Sequence, residues 1–162
     1  MTNPVAAVRT ALLERGVADT VMVFDDEVPT AVDAARVLDC DVAAIANSLV
    51  FDSGGSPLLI LSSGAARVDT KLLASALGLA RIRRADPDFV LTHTGQAIGG
   101  VAPVGHPEPI RTVLDRSLAD HPVLWAGAGD HRAMFSIGFE DLRRITSAEV
   151  MDVRAGGPGL PD

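Results

Sequence analysis

The sequence predicts a single α+β domain, and three observations lead there. Short apolar runs and capped helical stretches are mixed along the chain in no repeating order. Two of the apolar runs, Ile45 to Phe51 and Pro57 to Leu61, are joined by Asp52-Ser53-Gly54-Gly55-Ser56, a hairpin signal that argues against a doubly wound parallel sheet. The 162 residues, 48% hydrophobic and 22% charged, can bury one core without disulfides or metal and are too apolar for a disordered chain.

Asn3-Pro4 opens a helix with a capping side chain and a proline at the first helical position. Val5, Val8, Leu12 and Leu13 share one face, and Gly16 stops it. Val21 to Phe24 reads as a short strand. Thr30 caps a helix over Ala31 to Leu38, with Asp33 three positions on as in a capping box. After the hairpin, Asp69 caps Thr70 to Leu77 and Gly78 ends it. Ala80 to Arg84 reads as a strand and Asp86 to Leu91 as a short helix. Ile110 to Leu114, Val123 to Ala126 and Ala133 to Ile137 are strands, Phe139 to Ile145 a last helix, and Val150 to Val153 an edge strand. Residues 1–154 form the domain. Residues 155–162 (AGGPGLPD) read as a flexible tail.

Composition narrows the function. Thirteen Arg and one Lys, Lys71, face 21 acidic residues, for a net charge of −7. A chain that grips a nucleic-acid backbone normally carries a basic surface. Contact with a polynucleotide is therefore local or delivered by a partner, and DNA is not expected. The absence of Tyr and the 4% aromatic content argue against a base-stacking platform. No apolar run reaches the ~18 residues of a membrane span. The N-terminus lacks a basic region followed by an apolar stretch, so the expected compartment is the cytoplasm. A lone cysteine, Cys40, makes no internal disulfide and reads as a small buried hydrophobe, and no Cys/His spacing suggests zinc.

The segment with the most chemical content is Thr94 to His106, TGQAIGGVAPVGH, with four glycines and one proline. Glycine permits positive φ and close approach of a ligand to backbone N–H groups. Successive N–H groups can hold a phosphate, a carboxylate or a developing oxyanion. The segment lacks the Gly-Lys-Ser/Thr ending of a phosphate loop and the strand–turn–helix frame of a dinucleotide site. A catalytic or binding loop and a plain connection both remain open at this point. The second glycine-rich turn, Gly127-Ala128-Gly129-Asp130-His131, offers His131 either as a proton-moving or substrate-binding group or as a solvated turn residue. His106 carries the same two readings, and His93 and His121 read as surface residues. Arg81, Arg83 and Arg84 form the one tight basic cluster, which with Arg143 and Arg144 either meets phosphate or is solvated. Asp25-Asp26-Glu27 reads as a solvated turn, because three consecutive acids cannot all face one ion.

Four stretches together resemble a known family: Ile45-Ala46-Asn47-Ser48-Leu49-Val50-Phe51, Gly64 to Asp69, Thr94 to His106, and the Gly127 to His131 turn followed by Phe139-Glu140-Asp141-Leu142. In order and spacing they are similar to the YbaK/prolyl-tRNA synthetase-associated domain family, the trans-editing aminoacyl-tRNA deacylases. The resemblance covers about residues 3 to 153, and its most specific part is Gly99-x-x-x-Pro103. It implies a curved, mixed, barrel-like sheet flanked by helices. It implies hydrolysis of the ester joining a wrong amino acid to the 3′-terminal adenosine of tRNA, without metal or organic cofactor. The implied partners are the aminoacyl-tRNA 3′ end and an aminoacyl-tRNA synthetase. Gly99, Gly100, Val101 and Asn47 would be catalytic. Ser48, Thr94, Gly95, Ile98, Pro103, Gly105, Gly127 and His131 would bind substrate.

Such an ester is already activated, so positioning, a water and oxyanion donors matter more than a strong nucleophile. On this reading a side chain at Gly100 blocks the ester or displaces a backbone only glycine tolerates, lowering turnover while stability barely moves. One departure matters: members of the family carry a lysine where this chain has Asn47. Lys71, in the first turn of a later helix, is not an assumed replacement. The departure supports a second reading, a non-catalytic binder of aminoacyl-tRNA ends or a related small ligand. The acidic charge supports a third, a chain that works chiefly by docking on a synthetase.

Overall fold

Local chemistry sets most element boundaries. The Asn3 side chain accepts from the N–H groups of Val5 and Ala6 and opens α1 (Pro4–Glu14). β1 (Met22–Val23) is a two-residue edge strand. Thr30 accepts from the Asp33 N–H at the start of α2 (Ala31–Leu38). A 3₁₀ turn at Val42–Ala44 leads into β2 (Ile45–Ser53), which pairs along its length with β3 (Ser56–Ser63). Asp69 caps α3 (Thr70–Leu77), and Gly78 ends it in the left-handed region. β4 (Arg83–Arg84) precedes α4 (Pro87–Thr94), capped by Asp86 and ended by Gly95. β5 (Arg111–Asp115), a 3₁₀ turn at Arg116–Asp120, β6 (Leu124–Gly127), β7 (Ala133–Ile137), α5 (Phe139–Thr146) and β8 (Glu149–Met151) complete the chain. This computed structural model describes residues 3–154, so the tail expected at 155–162 lies outside the described residues.

Several boundaries differ from expectation by a residue or more, and three of the differences have a local cause. The strand expected from Ala80 shrinks to Arg83–Arg84, because Leu79 N–H still bonds the Ala74 carbonyl at the exit of α3. The helix expected to end at Leu91 runs one turn further, to Thr94, whose hydroxyl bonds back to the Val90 carbonyl. The last strand starts one residue earlier, at Glu149, where Arg111 on β5 grips the Glu149 carboxylate with two hydrogen bonds.

The eight strands form one mixed sheet in the order β1-β7-β6-β2-β3-β5-β8, with β4 paired to β2. β3 is buried on both faces: Leu59 and Leu61 join the large core under α1, α4 and α5, while Leu58 and Ile60 join Phe51, Leu73 and Ile82 under α3. That explains its unbroken apolar run. A third cluster packs α2 on the sheet through Ala34, Ala35, Ile45 and Met134.

One topological detail prepares the site. β3 covers one edge of β2. Along the other edge, β6 takes Ile45 and Ala46, and β4 takes Phe51 and Asp52. Among the described residues no strand pairs with the edge between them, at residues 47–49; the Val50 carbonyl accepts from the Ala85 N–H at 3.1 Å.

Candidate functional site

A cavity of about 300 Å³ opens beside that uncovered edge. Its walls come from Ile45 to Val50 of β2, Ala31 and Ala34 of α2, Arg84-Ala85, Val90, the glycine loop at Ile98, Gly99 and Val101, and the turn at Gly127 and Asp130. The size is at the lower end of small-molecule sites.

Strand alternation splits the two β2 residues singled out in the sequence. Ser48 shares a face with Ala46 and Val50, which pack in the core that includes Val101 and Ala102. Asn47, exposed, falls on the opposite face with Ile45. Both line the cavity. The Ser48 hydroxyl is buried with no hydrogen-bond partner among the described residues. Buried hydroxyls are normally satisfied, so this one marks a place for a ligand group or a water.

The glycine loop is tied down by its own side chains. The Thr94 hydroxyl accepts from the Gln96 N–H at 3.0 Å. The Gln96 amide oxygen accepts from the Ala102 N–H at 2.6 Å, and its nitrogen donates to the Val104 carbonyl at 3.2 Å. The His106 ring nitrogen Nε2 lies 2.8 Å from the Ala102 carbonyl. Burial and, to a smaller degree, Arg15 hold the His106 pKa below the ordinary histidine value, against the opposing pull of that bond to Ala102. Among the described residues, neither the Gly99 nor the Val101 N–H makes a hydrogen bond.

The two glycine segments are packed backbone on backbone. The Gly129 N–H donates to the Gly100 carbonyl at 2.8 Å. A Cβ on Gly100 would sit 2.8 Å from the Asp130 carbonyl carbon, and one on Gly127 would sit 2.8 Å from the Val101 oxygen. Gly99 has φ +93°, and a Cβ there would meet the His131 ring at 2.6 Å.

The expected site residues therefore divide. Asn47, Ser48, Ile98, Gly99, Val101 and Gly127 line the cavity. Gly100, Thr94, Gly95, Pro103, Gly105 and His131 are not in its wall; they build the loop or support it. Thr94 is fully buried with its hydroxyl engaged. Gly95 ends α4, Gly105 approaches the backbone of Ala7 and Val8 in α1, and the His131 ring lies against Gly99. Gly100 corrects the sequence reading twice. Its N–H closes a turn on the Ala97 carbonyl and is not a spare donor. Its glycine requirement comes from close packing against Asp130, not from φ, so substitution should disturb folding as well as turnover.

Three residues escaped the sequence reading of the site. Arg84 lines the cavity with its guanidinium carbon 5.7 Å from the centre of the Phe51 ring, and no carboxylate pairs with it among the described residues. Its neighbour Arg83 is paired with Asp52 at 3.5 Å. Asp130 also lines the cavity, one carboxylate oxygen accepting from the Arg132 N–H. Gln96 is visible only once the loop is folded. Arg84 stood in the sequence's one basic cluster and Asp130 in its second glycine turn; Gln96 carried no signal.

A model of the aminoacyl-tRNA editing domain matches residues 25–145, a span that holds β2, the glycine loop and the 127–131 turn. The chain belongs to the aminoacyl-tRNA editing domain family. As an editing-domain protein it is 34% identical to a solved structure described as a candidate trans-editing enzyme for prolyl tRNA synthetase. The match covers 96% of this chain and 99% of that one, with a TM-score of 0.88. The single α+β domain with its mixed sheet and flanking helices is the editing-domain fold. YwhH of Bacillus subtilis, an uncharacterized protein, is 28% identical over 89% of this chain and 92% of its own length. A proline–tRNA ligase of Levilactobacillus brevis is 24% identical over 76% of this chain, which spans 22% of that ligase. Among the described residues, no helix of this editing domain is long and apolar enough to cross a membrane. Nor do three or more His, Cys, Asp or Glu side chains converge among them as a metal site would require.

Proposed function

We propose that the chain is a trans-editing aminoacyl-tRNA deacylase, hydrolysing the ester between a mischarged amino acid and the tRNA 3′-terminal adenosine. The observation that carries this reading is that Val101 and Gly99, two neighbouring residues of the cavity wall, have N–H groups that make no hydrogen bond among the described residues. Two such donors suit the oxygen of a tetrahedral intermediate.

The reaction then runs as follows. The aminoacyl group enters between β2 and the glycine loop, with its carbonyl oxygen toward the Gly99 and Val101 N–H groups. A water adds to the carbonyl carbon, and the negative charge that develops falls on those donors. Collapse of the intermediate expels the ribose oxygen, which takes a proton, leaving free amino acid and tRNA with an unesterified end. In this reading the Asp130 carboxylate holds the substrate ammonium, the Ser48 hydroxyl meets a polar group of the aminoacyl moiety, and Asn47 bonds the terminal adenosine or its phosphate. Arg84 supplies, from β4, a positive charge at a site that lacks the lysine of the family at position 47. Selection comes from cavity size, where one methylene is worth about 1–3 kcal/mol. On this reading the protein works in the cytoplasm, with a synthetase as a second partner.

Incubating the pure chain with a panel of mischarged tRNAs tests the proposal; release of one or a few amino acids faster than in buffer is the expected result. Asn47→Ala should slow that release and Asn47→Lys should keep or raise it. A second reading is favoured by Asn47 itself: a binder of aminoacyl-tRNA ends with little turnover. tRNA retention without deacylation across the whole panel would select it.

A further inference from the structure

We propose that Gln96 is a positioning residue, whose buried side-chain amide fixes the direction of the Val101 N–H. The inference rests on the deacylase reading of the cavity.

Two consecutive peptide planes set the direction of this donor. The plane joining Gly100 to Val101 carries the Val101 N–H. Its carbonyl is held by the Gly129 N–H at 2.8 Å, and in a trans peptide the N–H then points the opposite way. That single bond leaves the plane free to rock about its own axis. The next plane, joining Val101 to Ala102, is held by Gln96, whose oxygen takes the Ala102 N–H at 2.6 Å. The Ala102 carbonyl, one plane further, is held by His106 at 2.8 Å. The other end of the Gln96 amide donates to Val104, so one side chain grips the backbone on both sides of Pro103. Proline has no N–H of its own to tie this stretch to the rest of the fold.

Gln96 is 1% exposed and lies outside the cavity wall. It touches the reaction only through the loop. A buried amide satisfied at both ends is rigid, and rigid donors are what stabilise a developing charge without reorganising. A donor misplaced by about 1 Å can lose on the order of 10²-fold in rate, so the grip should matter to kcat more than to substrate capture.

Wild type, Gln96→Leu and Gln96→Glu are compared well below their melting temperatures, on the best substrate of the panel. Gln96→Leu should lower kcat by roughly 10-fold or more with KM moved less than about 3-fold, the pattern of an interaction that matters in the transition state. Gln96→Glu keeps the acceptor for Ala102 and regains the donor to Val104 only when its buried carboxyl is protonated. Its rate relative to wild type should therefore rise as pH is lowered from about 8 to about 5.5, a dependence that glutamine cannot produce. Hydrogen exchange gives an independent reading. The Ala102 amide should be protected in wild type and lose protection in Gln96→Leu, while the β3 amides stay protected. Wild-type kcat in folded Gln96→Leu, or a rate loss that only tracks the fraction unfolded, overturns the proposal. A wild type that deacylates nothing removes the reading of the cavity instead, and the Ala102 exchange then decides the grip alone. Unchanged protection in Gln96→Leu overturns it.

Discussion

Two glycine-rich regions of this molecule use the same residue for opposite reasons. In the turn between β2 and β3, Gly54 and Gly55 have φ of +59° and +94°, and a Cβ on either would meet nothing within 4 Å. There glycine is needed for backbone conformation alone. At the cavity, Gly100 and Gly127 carry no positive φ, yet a Cβ on either would strike the backbone of the facing segment. There glycine is needed for close approach, and the approach brings the 95–106 loop and the 127–131 turn together as one wall. The comparison teaches that glycine content does not mark a site by itself. What marks it is a glycine whose absent side chain lets two backbones touch beside a cavity.

The largest expected effect breaks the comparison at its functional end. Gly100→Ala must push the loop away from Asp130, moving the Val101 N–H. Deacylation should fall by at least ~10²-fold, the scale of one lost oxyanion donor. Stability should fall too, by about 1–3 kcal/mol as for an overpacked interior site. Urea unfolding and turnover on the same preparation separate the two. Full turnover in a destabilised protein would show that the contact serves folding only.

The next effect tests whether charge enters from outside the two-loop wall. Arg84 comes from β4, beside the far end of β2, and has no carboxylate partner among the described residues. Arg84→Gln should raise KM for the aminoacyl-tRNA by about tenfold. If it meets phosphate, the salt dependence of binding should also shallow by roughly 0.7 in log–log slope, as for one contact to a single strand. An unchanged slope with raised KM would mean that Arg84 meets the base or the amino acid.

Much of this was readable in advance because it is local. Asn3, Thr30 and Asp69 cap helices through their own side chains, and Gly78 stops one by taking the left-handed region. The hairpin followed from two apolar runs and the glycines between them. The site was legible as a segment, not as a mechanism. Gly99 and Gly100 stood out as glycines, but what they pack against, the His131 ring and the Asp130 backbone, lies about thirty residues away. The orphaned Ser48 hydroxyl and the position of Arg84 depend on β4 and β6 pairing to the same edge of β2 and leaving a gap between them. No periodicity encodes that gap.

A smaller effect is a pH dependence on the loop side. Burial disfavours the charged form of His106, so its folded pKa lies below the unfolded value of about 6.5. Between those two values the unfolded chain binds more protons than the folded one, and stability rises with pH. The stability is fully present above about pH 6.5 and is lost as pH falls through that window. His106→Asn should flatten this part of the melting-temperature profile. A wild-type profile already flat from about pH 7 down to about pH 5 would show that His106 is accessible to protons without cost.

The smallest expected effect on turnover belongs to the other region. Gly54 lies in the left-handed region in open space, with Asp52 Oδ1 accepting the Gly55 N–H at 2.7 Å to close the turn. An L-residue in that conformation costs about 1–2 kcal/mol, so Gly54→Ala should lower stability by roughly that amount. Gly54→Asn should recover most of the loss, because asparagine tolerates left-handed backbone. Neither change adds an atom near the cavity, whose wall on β2 ends at Val50. Turnover should therefore equal wild type in both variants while the urea midpoints differ. The Gly100→Ala and Gly54→Ala pair is then matched in chemistry, one methyl group on a glycine, and comparable in stability cost. Only the first should touch catalysis. A tenfold loss of turnover in folded Gly54→Ala would mean that the hairpin turn steers β2 at the cavity. The distinction between glycine for conformation and glycine for contact would then no longer separate structure from function here.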